Sequence, residues 1–98
     1  MKIEKGTAKN KKWKATFSHV VDGSLKKIKS TQFGDDRYQD YTLSRDKEQR
    51  SKYRVRHKKD LETGDYMKAG LLSYYLLWGD STSLETNINK YKKKFKLK

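Results

Sequence analysis

The chain has 98 residues, too few for more than one domain, and 38% of them are charged. Lys and Arg number 25 against 12 Asp and Glu, a formal charge of +13. Cys is absent, which excludes disulfides and thiolate metal sites. The longest apolar run, Leu71 to Trp78, falls far short of the roughly 20 residues that span a bilayer.

Met1-Lys2-Ile3-Glu4-Lys5 lacks the apolar core of a secretory signal. A soluble protein that is not secreted is expected. Residues 1–10 are charged, contain Gly6 and show no period, so they read as a flexible basic arm. From Lys12 the pattern alternates. Trp13, Ala15, Phe17 and His19 fall on one side, and Lys12, Lys14, Thr16 and Ser18 on the other, as in a half-buried strand. Asp22-Gly23 is a hairpin turn signal, because both residues tolerate positive φ. A second strand over 25–33 is expected to turn Ile28 inward and to end at Gly34-Asp35-Asp36.

An irregular connector holds Tyr38 and Tyr41, and Asp46 with Gln49 then has the form of a helix N-terminus. That helix, to about Lys59, has a narrow apolar face of Tyr53, His57 and Leu61. Thr63-Gly64-Asp65 breaks the chain. Met67 to Trp78 is apolar nearly all round, which suits a central helix, with Gly79 as its αL cap. Thr82 and Glu85 suggest a capping box, and Leu84, Ile88, Tyr91 and Phe95 form one stripe behind it. The expected fold is α+β: an N-terminal β-hairpin followed by three short α-helices in a single domain over 11–98.

Charge is distributed in blocks of +7 over 1–30, +6 over 44–59 and +6 over 88–98, separated by acidic, more apolar stretches. Such blocks attract polyanions by releasing their counterions. In the 46–59 helix, Arg45, Arg50, Lys52, Arg54, Arg56, Lys58 and Lys59 surround most of the circumference with only two acids nearby. Cations on several faces can lie along a phosphate backbone. Together with Lys92, Lys93 and Lys94 near the C-terminus they are the candidate nucleic-acid-binding residues. The bland alternative is a solvated helix whose cations keep a small protein soluble.

His57 reads as a core imidazole donating to a nearby acceptor, and Arg56 as the partner of Asp40 or Asp46. A nuclease centre of Asp46, Asp60 and His57 is the minor alternative. Metal-ligand spacing, a Gly-rich phosphate loop and a nucleophile elbow are all missing from the sequence. No cofactor, metal or small-molecule substrate is therefore expected. Tyr74, Tyr75, Trp78 and Tyr91 suit a core, whereas Trp13 and Phe17 on a basic strand either pack or stack on unpaired bases. The basic run 91–98 could also lie on an anionic membrane surface, but its stripe continues a helix expected to pack inward.

Phe33-Gly34, Tyr38, Asp40-Tyr41-Thr42, Asp46, Arg50, Tyr53, Arg56-His57 and Asp60 form a pattern that continues through Ala69-Gly70, Leu72-Ser73 and Leu77-Trp78. It closes with Leu84, Ile88, Tyr91 and Phe95. From Phe33 onward the chain resembles a family of small, uncharacterised basic proteins of nucleocytoplasmic large DNA viruses, the giant viruses of algae and protists. The hairpin matches only as a basic strand pair, and Gly64-Asp65-Tyr66 stands where that family tends to have Trp or Pro. The resemblance implies no enzymatic role. It implies a virion or accessory protein that contacts nucleic acid, DNA foremost. The alternative is a minor capsid or cement protein that binds acidic surfaces of neighbouring shell proteins, located in the virion or in the host cytoplasm or nucleus.

Overall fold

The computed structural model describes residues 1–97. Asp22 and Gly23, at φ 50° and 77°, make the expected tight turn. It joins β2 (Lys11–Val21) to β3 (Ser24–Asp35) in antiparallel register. The alternation of β2 is realised where the helices cover it. Ala15 and Phe17 are buried, Trp13 packs half-buried against them, and His19 beyond them is exposed.

The sheet corrects the expected hairpin. It has three strands, because Lys2–Lys5 forms β1 and pairs antiparallel with β2, placing Lys2 opposite Thr16 and Lys5 opposite Trp13. Ile3 is the one apolar residue of β1, so no period marks it; pairing with β2 overrides its poor local signal. The following turn is pinned by Gln32, whose Oε1 accepts from the backbone N–H of Thr7 (3.0 Å) and Ala8 (3.2 Å). The segment read as a flexible arm therefore carries a strand and a tied turn. β2 is central, and β3 lies at an edge.

A second correction concerns Ile28. Phe17 opposes Lys29 but Ser18 opposes Lys27, so Ile28 is the extra residue of a β-bulge and is 48% exposed. Counted from the Asp22-Gly23 turn, an unbulged ladder would set Ile28 opposite the buried Phe17; the bulge puts Lys29 there instead. Beyond it the ribbon leaves the helices behind: residues 19–29 are all exposed, and Val20, Leu25 and Ile28 present apolar surface at its end.

The helical layer is roughly the three helices expected, with a short turn and a 3-10 segment added. Asp40 caps a single turn, α1 (Tyr41–Ser44), accepting from the Thr42 N–H. Asp46 caps α2 (Lys47–Arg56), accepting from the N–H groups of Glu48 and Gln49. A 3-10 segment, Lys58–Thr63, follows and ends on the left-handed Gly64. The central helix is not uniform: α3 (Ala69–Leu72) runs into a π turn over Ser73–Leu77, closed by Trp78 N–H to Ser73 O at 3.1 Å. Its apolar character is realised, with Leu71, Leu72, Leu76, Leu77 and Trp78 all buried.

Gly79 ends this element, though not as an αL cap, since its φ is not positive. Space is what it supplies: a Cβ there would lie 2.2 Å from the Tyr75 carbonyl oxygen. Finally α4 (Leu84–Lys94) is capped by Ser83, which accepts from the Thr86 N–H, in place of the expected Thr82. Its stripe packs as read, with Tyr91 buried and Leu84, Ile88 and Phe95 half-buried.

One face of the sheet, through Ala15, Phe17 and Phe33, packs on Leu72, Leu76, Leu77, Trp78 and Tyr91 to form the core. Thr31 Oγ1 donates to Met67 O at 2.6 Å, and Tyr91 Oη donates to Tyr66 O at 2.5 Å. The two adjacent carbonyls before α3 are thus fastened to β3 and to α4. Among the described residues no helix is long and apolar enough to cross a membrane.

Candidate nucleic-acid interface and an adjoining cleft

The cations read from the sequence divide into two groups. Arg50 and Arg54, one turn apart on α2, face the loop after the π turn. Arg50 Nη1 donates to Gly79 O and Asp80 O at 3.3 Å each, and its guanidinium lies 4.5 Å from the Tyr41 ring centroid. Arg54 Nε donates to Trp78 O at 2.8 Å, and its Nη2 to Asp80 Oδ1 at 3.0 Å. These two arginines fasten α2 to the core and are occupied within the molecule.

The others face outward. Lys52, Arg56, Lys58 and Lys59 are exposed along α2 and the 3-10 segment, and Arg45 is exposed at the left-handed end of α1. Lys52 meets only Glu48, at 3.4 Å, in a pair exposed on both sides and therefore weak. On α4, Lys93 and Lys94 are exposed and Lys92 is half-buried, with Lys94 Nζ 5.5 Å from the Tyr75 ring centroid.

Arg56 pairs with neither expected acid. Its guanidinium lies 5.9 Å from the Tyr53 ring centroid, and its Nε reaches His57 Nε2 at 3.4 Å. His57 Nδ1 lies 3.2 Å from Asp60 Oδ2, so the expected acceptor is Asp60. The imidazole also stacks on Tyr53 at 4.2 Å, and Tyr53 stacks in turn on Trp78 at 4.4 Å. Asp46, capping the far end of α2, takes no part in this group, so the nuclease triad is not assembled. Among the described residues no cluster of three His, Cys, Asp or Glu could hold a metal ion.

Beside the Tyr53 stack lies a cleft of about 640 Å³ between the base of the sheet, α2 and α3. Asp40 lines it and is only 3% exposed. Lys12 Nζ reaches Asp40 Oδ2 at 2.5 Å, while Thr42 supplies its N–H (2.9 Å) and its hydroxyl to Oδ1. Asp35 is bound by the neighbouring Arg37 side chain, whose hydrogen bonds hold its carboxyl down at about 2. Each acid of the cleft thus has a cation or imidazole of its own. Lys11 and Arg56 also line the cleft, and among the described residues neither has a carboxylate within ion-pair distance, although Lys11 stands opposite Asp35 in the sheet.

Burial pushes the Tyr53 phenol up to about 12 and raises that of Tyr91 as well. A raised folded-state value favours the neutral phenol. The stabilisation is complete below the ordinary value of about 10 and is lost as pH rises through the raised one. In an absorbance titration of the folded protein, two phenols are expected to ionise late. Tyr53→Phe should remove one of them; an unchanged late phase would contradict its burial against Trp78.

A model of a family of unknown function, DUF5754, matches residues 1–57. The chain belongs to that family. The DUF5754 segment contains the sheet, Asp40 and α2 up to His57. The cleft is completed from beyond it, by Asp60, Gly70, Ser73 and Trp78. No curated protein and no solved structure matches the chain.

Sequence reading missed the Lys12–Asp40 pair, because nothing local links positions 28 residues apart. It also placed Arg50 and Arg54 among the outward cations. Their i, i+4 spacing, which puts them on one face, is the only signal that they act together.

Proposed function

We propose that this protein is non-enzymatic and contacts nucleic acid, DNA foremost, through the exposed cations of α2, the 3-10 segment and the end of α4. One observation carries the reading. Among the described residues only five Lys or Arg side chains, Lys2, Lys12, Arg37, Lys52 and Arg54, pair with a carboxylate. A surface with so many unmatched cations binds polyanions through counterion release. The viral resemblance over Phe33 to Phe95 supports an accessory role in a large DNA virus, within the virion or in the infected host cell.

Binding of labelled duplex should show little sequence preference and should weaken about a thousandfold between roughly 50 and 200 mM salt, as expected for six or more phosphate contacts. An affinity indifferent to salt would remove the basis of the reading. A second reading, a minor capsid or cement protein, is favoured by the hairpin end. Val20 is 68% exposed and Leu25 74%, surface better suited to a protein groove than to phosphate. Finding the protein in shell fractions of purified particles supports the second reading, and finding it in core fractions supports the first.

A further inference from the structure

We infer that the cleft beside the Tyr53 stack takes a single unpaired nucleotide unit, a planar base with its phosphate. This rests on the nucleic-acid reading and adds to it a site that charge counting does not reveal. The volume of about 640 Å³ lies in the range of roughly 300–1,000 Å³ usual for small-ligand pockets. Three features specify the occupant.

The first is charge. Arg37 and Lys12 balance Asp35 and Asp40, whereas the His57 imidazole cancels the Asp60 charge only when protonated, so Lys11 and Arg56 still exceed the one unbalanced carboxylate of the lining. Lys52 adds a third, held only by its exposed contact with Glu48. An anion is the complementary ligand. The Arg56 guanidinium can give a phosphate two parallel N–H donors.

The second is Tyr38. It lines the cleft with 67% of its surface exposed, and Arg37 lies 6.0 Å from its ring centroid. An accessible aromatic ring beside cations is the arrangement by which proteins stack a base while neutralising its phosphate. The third is rigidity. Tyr53 is clamped between Trp78 and His57, Asp60 orients the imidazole, and Asp40 ties α1 to Lys12 on β2. The cleft is therefore formed before any ligand arrives, and little ordering cost accompanies binding.

The test is calorimetric titration of the full chain with deoxyadenosine monophosphate, with inorganic phosphate at the same ionic strength as the comparison. The nucleotide should bind more tightly than phosphate. Tyr38→Ala should weaken it about tenfold, Tyr38→Phe should leave it nearly unchanged, and Arg56→Gln should weaken both ligands. Tyr38 is an exposed side chain outside the core, so its loss should not unfold the chain. Equal binding of phosphate and nucleotide, or indifference to Tyr38→Ala, overturns the inference.

A parallel titration with blunt duplex separates the two claims. Duplex binding without nucleotide binding defeats the cleft alone, and nucleotide binding without duplex binding defeats the broader reading alone. A duplex with a one-nucleotide overhang identifies the source. Tighter binding than the blunt form, lost in Tyr38→Ala, assigns the cleft to a strand end; equal binding assigns it to free nucleotides.

Discussion

Lys12→Met is expected to destabilise the fold by about 3–5 kcal/mol, the usual cost of removing one partner from a buried ion pair. The Lys12 side chain is 11% exposed and that of Asp40 3%, so water cannot replace the lost ammonium. Asp40 keeps its Thr42 contacts but loses the charge that balances it. For a domain of this size, such a change should lower Tm by more than about 10 °C. The double variant Lys12→Met, Asp40→Asn removes the unbalanced charge and should recover part of the loss. That non-additivity is the signature of direct coupling. A single variant that melts within a degree or two of the parent would show that the pair contributes nothing.

Asn87→Asp should cost about 3 kcal/mol or more at neutral pH, although the side chain scarcely changes shape. Asn87 is 2% exposed, and its Nδ2 donates to Leu76 O at 3.0 Å and Ser81 O at 2.8 Å. A carboxylate keeps the bond from Ser81 N–H but turns an acceptor toward both carbonyls. Each buried acceptor left without a donor costs about 1–3 kcal/mol. Burial among carbonyls raises the folded-state pKa of the new group above the ordinary aspartate value. The deficit should therefore shrink as pH falls from neutral through that raised value, and grow as pH rises. Urea midpoints across this range measure it; a deficit independent of pH would mean that the side chain reaches solvent.

Elements governed by neighbouring residues were readable in the sequence. The Asp22-Gly23 turn depends on two residues that accept positive φ, and the α4 stripe depends on a period that packing then uses. What depended on distant partners was not readable. β1 has one apolar residue and exists because β2 offers it a ladder. Ile28 turns outward because one extra residue changes the phase of β3. Gly79 is set by the Tyr75 carbonyl, not by its own dihedrals. The cleft draws on strands, helices and loops from Lys11 to Trp78, whose separate residues carry no common spacing. Charge was legible as an amount and not as a direction, which is why Arg50 and Arg54 proved to be fasteners.

The position of β3 along the rim of the sheet has a consequence for solubility. An open rim invites a second copy to extend the ladder, the first step toward fibrous polymers. Lys26, Lys27 and Lys29 stand on that strand, all exposed, close to Leu25 and Ile28. Mutual repulsion between such lysines keeps two rims from zipping together. Neutralising these three charges would remove that repulsion and leave the rim open to a second copy.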